Sequence, residues 1–484
     1  MARLFSLLAL AAVPVAAAVG GAGGFACSHS SGAAAAEDAG EASGPFTGRP
    51  GDLGADSPVI DHSGPNGGVV GTLQTGPAGN AWQPALCPGT VPVATGITGA
   101  QWGAEVYGAT DESPHAVHAS FRFDTGTSFA VVWETDADTQ ATWVAYGDSP
   151  THLDHFVQGV DFVVPPQPLD VLPYPMLTHE THVCGLQPDH TYYYAVGGDG
   201  WYGNVSSLTT GPADGSTENF RFIVMGDSNA FYDLYANLQV AAGTYGPMFT
   251  LFTGDLVHEG EMVEEWESWF SAGGPLLTSI PTMTVHGNHE DMAAAYFALW
   301  ALPGIEEIYS FDWGDVHFVV LNDTPTAGDS DLTSRQAQFL DADLTAAQAR
   351  PVPPVWIVSS HHRPMFSSDP SEGSNLTVRD AWQPILEKHH VDVDFNGHSH
   401  HYESTLPILG EDGGIVEEGG IRYITSGAAG AAFDSPTPTP NPWSNVYYAG
   451  LALAVIDVTP HTLKIQGRRV DGTAIEMAPI VLTK

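Results

Sequence analysis

The sequence predicts two folded domains, an N-terminal β-sandwich followed by an α/β domain. Between about Pro114 and Thr210, short runs of alternating apolar residues are separated by Gly, Asp and Pro turns, the spacing typical of sandwich strands. From Phe220 onward, apolar strand-like runs alternate with helical stretches. The chain has 484 residues, and a single hydrophobic core rarely supports a chain of this length, which also favours two domains.

Composition sets the expected domain boundaries. Residues 1–27 have the layout of a secretory signal peptide, because a basic start is followed by an apolar stretch and then by small residues. Residues 28–81 are rich in Gly, Ala, Ser, Pro and acidic residues, which is typical of a low-complexity tether. The sandwich is predicted over 82–212 and the α/β domain over 218–484.

The signal layout predicts export, so the protein is expected to be secreted, periplasmic or anchored at the cell surface. Cys27 closes the signal segment and is a candidate for lipidation, which would be the sole membrane attachment. If Cys27 carries lipid, Cys87 and Cys184 remain as an even pair, and a disulfide between them is the hypothesis. Two unpaired cysteines that act as small hydrophobes are the alternative.

The charge balance limits the partners. Only 14 Lys and Arg face 56 Asp and Glu, giving a formal net charge of −42. Such a charge repels nucleic acid and anionic membrane surfaces at long range, so no nucleic-acid binding is expected.

In the second domain, helices are predicted over 261–270, 291–302, 334–349 and 380–389. The tail from 447 to 482 returns to alternating strands, with a turn at Asp471-Gly472, and is expected to complete the sheet of this domain.

Five short blocks of polar residues each follow an apolar, strand-like run. They are Gly226-Asp227, Gly254-Asp255, Gly287-Asn288-His289-Glu290, His361-His362 and Gly397-His398-Ser399-His400. Loops at the carboxyl ends of strands gather into one crevice of an α/β sheet, so these residues can meet there. Carboxylate, amide and imidazole ligands suit metals such as Fe, Zn and Mn. The blocks therefore predict a two-metal site, and they favour a hydrolase.

The order of these blocks resembles that of the calcineurin-like metallophosphoesterases and, more narrowly, that of the purple acid phosphatases. The similarity extends from about 110 to 484 and includes Gly185-Leu186-Gln187-Pro188, His362-Arg363-Pro364 and His401-Tyr402-Glu403. It implies a fibronectin-III-like sandwich followed by a two-sheet, four-layer αββα metallophosphoesterase domain.

The resemblance also implies roles for single residues. Asp227, a bridging Asp255 and His400 would hold the first metal, and Asn288, His362 and His398 would hold the second, together with Asp255. His289 would protonate the leaving group or stabilise the transition state, with Glu290 as its orienting partner. Because His362-Arg363-Pro364 is similar to the family's His-Arg-Pro pattern, His361 is interpreted as structural or as a neighbour that supports the ligands. His317, in an apolar strand, is interpreted as a core histidine, since buried polar groups usually find partners.

One block departs from the purple acid phosphatase pattern. His258 stands where those enzymes carry the tyrosine that binds Fe(III) and produces the colour. We expect His258 to bind the first metal instead, because imidazole suits the same metals. The alternatives are that His258 hydrogen-bonds a carboxylate, or that Asn229 is the ligand, at a position where the wider superfamily often has histidine. A colourless enzyme is predicted, with two ions of Fe, Zn or Mn.

The predicted function is metal-dependent hydrolysis of phosphate monoesters by a metal-activated water, as in an acid phosphatase. Residues 367–373 lack the histidine that helps some family members hold phosphate. A phosphodiesterase or nucleotide hydrolase is therefore an alternative. A catalytically silent surface or adhesion protein is another, although it would predict damaged ligand blocks.

Overall fold

The computed structural model describes residues 91–92, 113–135, 142–164, 176–198, 201–229, 231–324, 332–410, 413–435 and 439–484. The predicted signal segment, the tether, Cys27 and Cys87 lie outside these residues. Cys184 is disulfide-bonded. Among the described residues, no helix combines the length and apolar character needed to cross a membrane.

The N-terminal domain is the predicted β-sandwich. Its strands are β1 Val91–Pro92, β2 His115–Ser120, β3 Ser128–Thr135, β4 Trp143–Gly147, β5 His155–Gln158, β6 Val160–Val164, β7 Met176–Cys184, β8 Thr191–Gly198, β9 Trp201–Tyr202 and β10 Ser206–Thr209. One sheet has the order β2-β3-β7-β6, and the other has the order β1-β5-β4-β8-β10 with β9 paired to β8. Phe129, Trp133 and Tyr194 are buried in the core.

The second domain contains two mixed sheets and six α-helices among the described residues. The strands are β11 Phe220–Met225, β12 Thr250–Phe252, β13 Thr282–Thr284, β14 Tyr309–Trp313, β15 Val316–Val320, β16 Trp356–Ser360, β17 Val393–Asn396, β18 Tyr402–Thr405, β19 Arg422–Ser426, β20 Ser444–Tyr448, β21 Ala452–Val458, β22 Thr462–Arg469 and β23 Ile480–Thr483. The helices are α1 Tyr232–Gly243, α2 Val263–Gly273, α3 Leu276–Ser279, α4 Ala294–Leu299, α5 Ala337–Gln348 and α6 Leu376–Lys388.

The two sheets of this domain pack face to face through aromatic side chains. One sheet has the order β13-β12-β11-β21-β22-β23, and the other has the order β14-β15-β16-β17-β19-β18-β20. Phe222 on β11 contacts Phe318 and Phe395 edge to face, at centroid distances of 5.4 and 6.1 Å. Such pairs add to the free energy of burial, so the aromatic layer fixes how the sheets face each other.

Helices cover the outer faces of both sheets. Tyr235 of α1 packs edge to face on Phe252 of the first sheet. Trp382 of α6 is buried in a cluster with Ile357 and Tyr423 of the second sheet. The domain is thus the four-layer αββα arrangement that the resemblance implied.

The predicted helices all exist, with shifted ends. The helix expected over 261–270 is α2, the one over 291–302 shortens to α4, and the one over 334–349 consists of a π-helical turn, Leu332–Gln336, followed by α5. The helix expected over 380–389 is α6, which begins earlier because Asn375 caps it by accepting a hydrogen bond from the Val378 N–H. The tail supplies β20 to β23 as expected, with Gly472 at a φ of 83° in the predicted turn.

The sandwich touches the second domain through polar side chains along β2 and just after it. The side chains of His118, Ser120 and Arg122 each bond a main-chain carbonyl of the segment 299–302, at 2.5, 2.7 and 2.7 Å. Arg122 also pairs with the buried carboxylate of Glu306. The sandwich therefore holds the chain that follows the Asn288 block.

Candidate metal centre

The predicted ligand blocks lie at the carboxyl ends of strands from both sheets. Asp227, Asp255 and Asn288 follow β11, β12 and β13, which are parallel neighbours in the first sheet. His362 and His398 follow β16 and β17, which are parallel neighbours in the second sheet. The strand topology therefore brings the blocks to one edge of the domain.

Two groups of side chains at this edge have the geometry of metal ligands. Asp255, His362 and His398 form one group, and Asp227, Asp255 and His400 form the other. Within each group the ligand atoms lie within 4.8 Å of one another, and Asp255 belongs to both. A carboxylate shared between two groups is the arrangement of a dinuclear site.

Backbone strain accompanies this arrangement. Asp227, Asp255 and His398 have φ values of 61°, 53° and 64°, in the left-handed region that residues other than glycine seldom adopt. Each such residue costs about 1–3 kcal/mol and persists only where its surroundings enforce it. One enforcing contact is the His398 N–H, which donates to both carboxylate oxygens of Asp227 at 2.9 and 3.0 Å.

The carboxylates of Asp227 and Asp255 are fully buried next to each other. Burial and the neighbouring charge of Asp255 raise the pKa of Asp227 well above its usual range. Burial acts in the same direction on Asp255, but the imidazole of His362, whose Nε2 lies 3.2 Å from Asp255 Oδ2, lowers the pKa of that carboxyl. A bound cation would relieve the repulsion between these two groups.

Several polar atoms at this edge lack a hydrogen-bond partner among the described residues. They include the amide Oδ1 atoms of Asn229 and Asn288. Asn229 is only 4% exposed. Buried polar atoms nearly always have a partner, so the unpaired amide oxygens fit a role as metal ligands. The residues present therefore suit the two ions that the resemblance implied.

His289 is held by its neighbour across the crevice. Its Nδ1 donates to the main-chain carbonyl of His258 at 2.6 Å, and its Nε2 lies 3.9 Å from Asp255 Oδ2. The ring of His258 is exposed and stacks on the ring of His289, with centroids 4.9 Å apart. Neither ligand group of described residues includes His258.

Glu290 has partners other than the one predicted. Its buried carboxylate accepts hydrogen bonds from the N–H groups of Asp255, Leu256 and Gly287, at 3.0, 2.7 and 2.7 Å. Burial and the nearby Asp255 raise the pKa of Glu290 to about 8. The contacts of Glu290 join the Asp255 block to the Asn288 block, whereas His289 is oriented by His258.

The two histidines interpreted as structural have both ring nitrogens engaged. His361 lies between Asp323 and Asp394, with nitrogen–oxygen distances of 2.9 and 3.1 Å. His317 lies between Asp312 and Asp343, at 2.8 Å from each. Neither ring has a nitrogen left for a metal.

The groups that orient the candidate ligand histidines leave little trace in the sequence. His362 and His400 each donate Nδ1 to a main-chain carbonyl, those of Thr253 and Ala432, at 2.8 Å. His398 instead places Nε2 2.8 Å from the carboxylate of Glu372. A main-chain carbonyl cannot be recognised in a sequence. Glu372 can, because it lies in the segment 367–373, where some family members have a histidine that helps to hold phosphate.

Both domains match known families. Residues 114–210 match the purple acid phosphatase N-terminal domain, and residues 220–402 match the calcineurin-like phosphoesterases. Purple acid phosphatase 22 of Arabidopsis thaliana is 32% identical over 241 residues, which cover 46% of this chain and 53% of that protein. Purple acid phosphatase 21 of the same plant is 30% identical over 269 residues, covering 52% and 58%. The chain thus spans about half the length of these curated relatives.

A solved structure shares the fold. Purple acid phosphatase PPD1 from yellow lupin seeds superimposes with a TM-score of 0.68 over 77% of this chain and 74% of that one, at 17% sequence identity.

Proposed function

We propose that this chain, in which a purple acid phosphatase N-terminal domain precedes a calcineurin-like phosphoesterase domain, hydrolyses phosphate monoesters at a dinuclear metal centre. The observation that carries the proposal is the pair of ligand groups that share the buried Asp255. A carboxylate that belongs to both groups could hold two ions side by side, as the dinuclear centres of phosphatases require. The predicted export through residues 1–27 is part of the proposal and rests on sequence alone.

The proposed ligands follow the two groups. Asp227, Asp255 and His400 would hold the first ion, and Asp255, Asn288, His362 and His398 would hold the second. When bound, the ions would supply positive charge to the phosphate oxygens and make a coordinated water more acidic. Phosphoryl transfer needs mainly positioning and charge stabilisation, so no protein nucleophile is required.

At the first ion we propose Asn229, rather than His258, as the further ligand. The Asn229 amide oxygen is buried and lacks a hydrogen-bond partner among the described residues, which supports ligation. The His258 ring is exposed and stacked on His289, which supports a role beside that residue. Without a phenolate, Fe(III) loses its specific partner, and Zn, Mn and Fe remain the candidate ions.

His289 is the proposed general acid. Because its Nδ1 is engaged by the His258 carbonyl, Nε2 is the ring atom that can carry a proton to the leaving alkoxide. The position of Nε2, 3.9 Å from the carboxylate shared by both groups, supports this role. A well-placed acid of this kind contributes roughly two to four orders of magnitude in rate.

Metal analysis of the purified protein, combined with hydrolysis of aryl phosphate mono- and diesters across pH, tests the proposal. We expect two ions per chain and faster turnover of the monoester, and both should disappear in Asp255→Ala. Faster turnover of the diester would replace the monoester assignment. The absence of bound metal and of turnover with added Zn, Mn or Fe would favour a silent surface protein and would contradict the proposal.

A further inference from the structure

We propose that Glu372 is a positioning residue, which fixes the ring of His398 and thereby sets the affinity of the second metal ion. This inference rests on the proposed function, because it needs the dinuclear centre. It adds a residue that lies outside both ligand groups of the described chain.

The contact itself determines which nitrogen of His398 faces the metal. Nε2 of His398 lies 2.8 Å from Oε2 of Glu372. A neutral imidazole carries one N–H, and a ligating histidine usually donates it to a carboxylate or carbonyl. With Nε2–H donated to Glu372, Nδ1 is the nitrogen left to join Asp255 and His362 at the ion.

Hydrogen bonds to the Asp369 side chain restrain the loop that carries Glu372. The carboxylate of Asp369 accepts the N–H groups of Ser371 and Glu372 at 3.0 Å each, and it accepts the Ser371 hydroxyl at 2.9 Å. Gly373 follows with a φ of 70°, which lets the chain turn back. Although the Glu372 side chain is 58% exposed, Asp369 holds its backbone, which keeps the carboxylate within reach of His398.

A comparison of the three ligand histidines singles out His398. His362 and His400 are oriented by main-chain carbonyls, which side-chain substitutions leave in place. The orienting partner of His398 is a side chain. Replacing Glu372 should therefore weaken one of the two metal sites and spare the other.

The experiment measures the dissociation constants of both Mn²⁺ ions by chelator competition in wild type, Glu372→Ala and Glu372→Gln. In Glu372→Ala we expect one affinity to fall about 10–100-fold, the range found when such partners are removed. The other affinity should not change. In Glu372→Gln this affinity should fall less, because the amide oxygen of the glutamine can still accept the His398 N–H. Unchanged affinities in Glu372→Ala, or an equal loss at both ions, would overturn the proposal.

Two controls make the result specific. Asp148→Ala removes an exposed carboxylate 3.0 Å from His190 Nε2 on the sandwich, a matched pair away from the centre, and should leave both affinities unchanged. In a His398→Ala background, Glu372→Ala should have no further effect on metal affinity, since the two residues would act as one unit. A further loss there would count against the proposal. If the wild-type protein binds no metal, the proposed function itself is wrong. If the wild type binds two ions and the Glu372 variants bind them equally well, only the role of Glu372 is wrong.

Discussion

His258 contacts His289 twice, once through a ring stack with centroids 4.9 Å apart and once through a 2.6 Å hydrogen bond from Nδ1 of His289 to the His258 carbonyl. The position at which purple acid phosphatases carry their metal-binding tyrosine is thus used here beside the candidate acid. The carbonyl is independent of the side chain, whereas the stack depends on it. Substitutions at position 258 can therefore separate the two contributions.

We expect His258→Ala to keep both metal ions and to lower kcat roughly tenfold, a fraction of what a general acid contributes. The carbonyl still fixes Nδ1 of His289, but the ring loses its stacking support. His258→Phe, which can stack, should recover most of the rate. Metal content by elemental analysis and steady-state kinetics measure both effects. Loss of one ion in both variants would show that His258 is a ligand after all.

His289→Ala and Asp255→Ala should fail in different ways. His289→Ala should retain two metal ions and lose roughly two to four orders of magnitude in turnover, because only the proton donor is removed. Asp255→Ala should lose metal, since its carboxylate belongs to both ligand groups. Metal content and turnover of each variant are measured in parallel. Wild-type activity in either one would defeat the assignment.

Asn229→Ala should weaken the first metal ion and leave the second intact, because it removes the buried amide oxygen. Asn229→Asp should retain that ion, because it keeps an oxygen donor at this position. Chelator competition gives the affinities, and Asn237→Ala, on the exposed side of α1, is the control. The iron-loaded wild type should show no tyrosinate charge-transfer band. A purple protein would contradict this ligand set.

The two half-buried carboxylates that flank the buried His317 predict a pH dependence of stability. Burial alone would lower the pKa of His317, but its hydrogen bonds to Asp312 and Asp343 raise that pKa to about 9, from 6.5. Because the folded-state value is the higher one, the ion pairs stabilise the protein fully below about pH 6.5 and are lost as the pH rises through about 9.

The test compares the free energy of unfolding of wild type and His317→Asn from pH 6 to pH 10. The difference between them should shrink by about 3 kcal/mol as the pH rises, from a shift of this size at about 1.4 kcal/mol per pH unit. A constant difference across this range would show that His317 is neutral in the folded protein.

Arg122 and Glu306 link the sandwich to the segment that follows the Asn288 block. Burial raises the pKa of Glu306 to about 8, so at pH 9 Arg122→Met should lower the free energy of unfolding by about 3–5 kcal/mol, because it leaves a buried carboxylate without its cation. The double variant Arg122→Met/Glu306→Gln should recover part of that loss, since no uncompensated charge remains. Denaturant unfolding measures both. Equal stabilities of the single and double variants would show that the charge of Glu306 is not the cause.

The ligand blocks could be predicted because each combines a strand-like run with donor residues, a pattern that survives in the linear sequence. The orienting contacts could not. Glu290 bonds the main chain of Asp255 and Leu256, and His398 depends on Glu372, a partner 26 residues away in a turn that Asp369 closes. These contacts depend on the conformations of the loops that carry the partners. The periodicity of apolar residues in the sequence gives no information on loop conformation.

Helix α1 is not among the helices that the sequence predicts, for a different reason. Its inward face, with Tyr235 and Leu238, is fully buried, but Val240 on the other face is 74% exposed. An apolar residue on the solvent side blurs the 3.6-residue period on which a sequence prediction depends. Helix α6 is predicted only from residue 380 onward, and its first turn, with the exposed Leu376 next to the Asn375 cap, lies outside the predicted range.

The hydrogen bonds from the His398 N–H to Asp227 join positions 171 residues apart. The left-handed conformations of both residues depend on that closure. A chain still emerging from a ribosome exposes Asp227 and Asp255 long before His398 and His400, so it holds two carboxylates without their imidazoles. If the two ions bind as proposed, the complete ligand set is available only once the chain as far as His400 has been made.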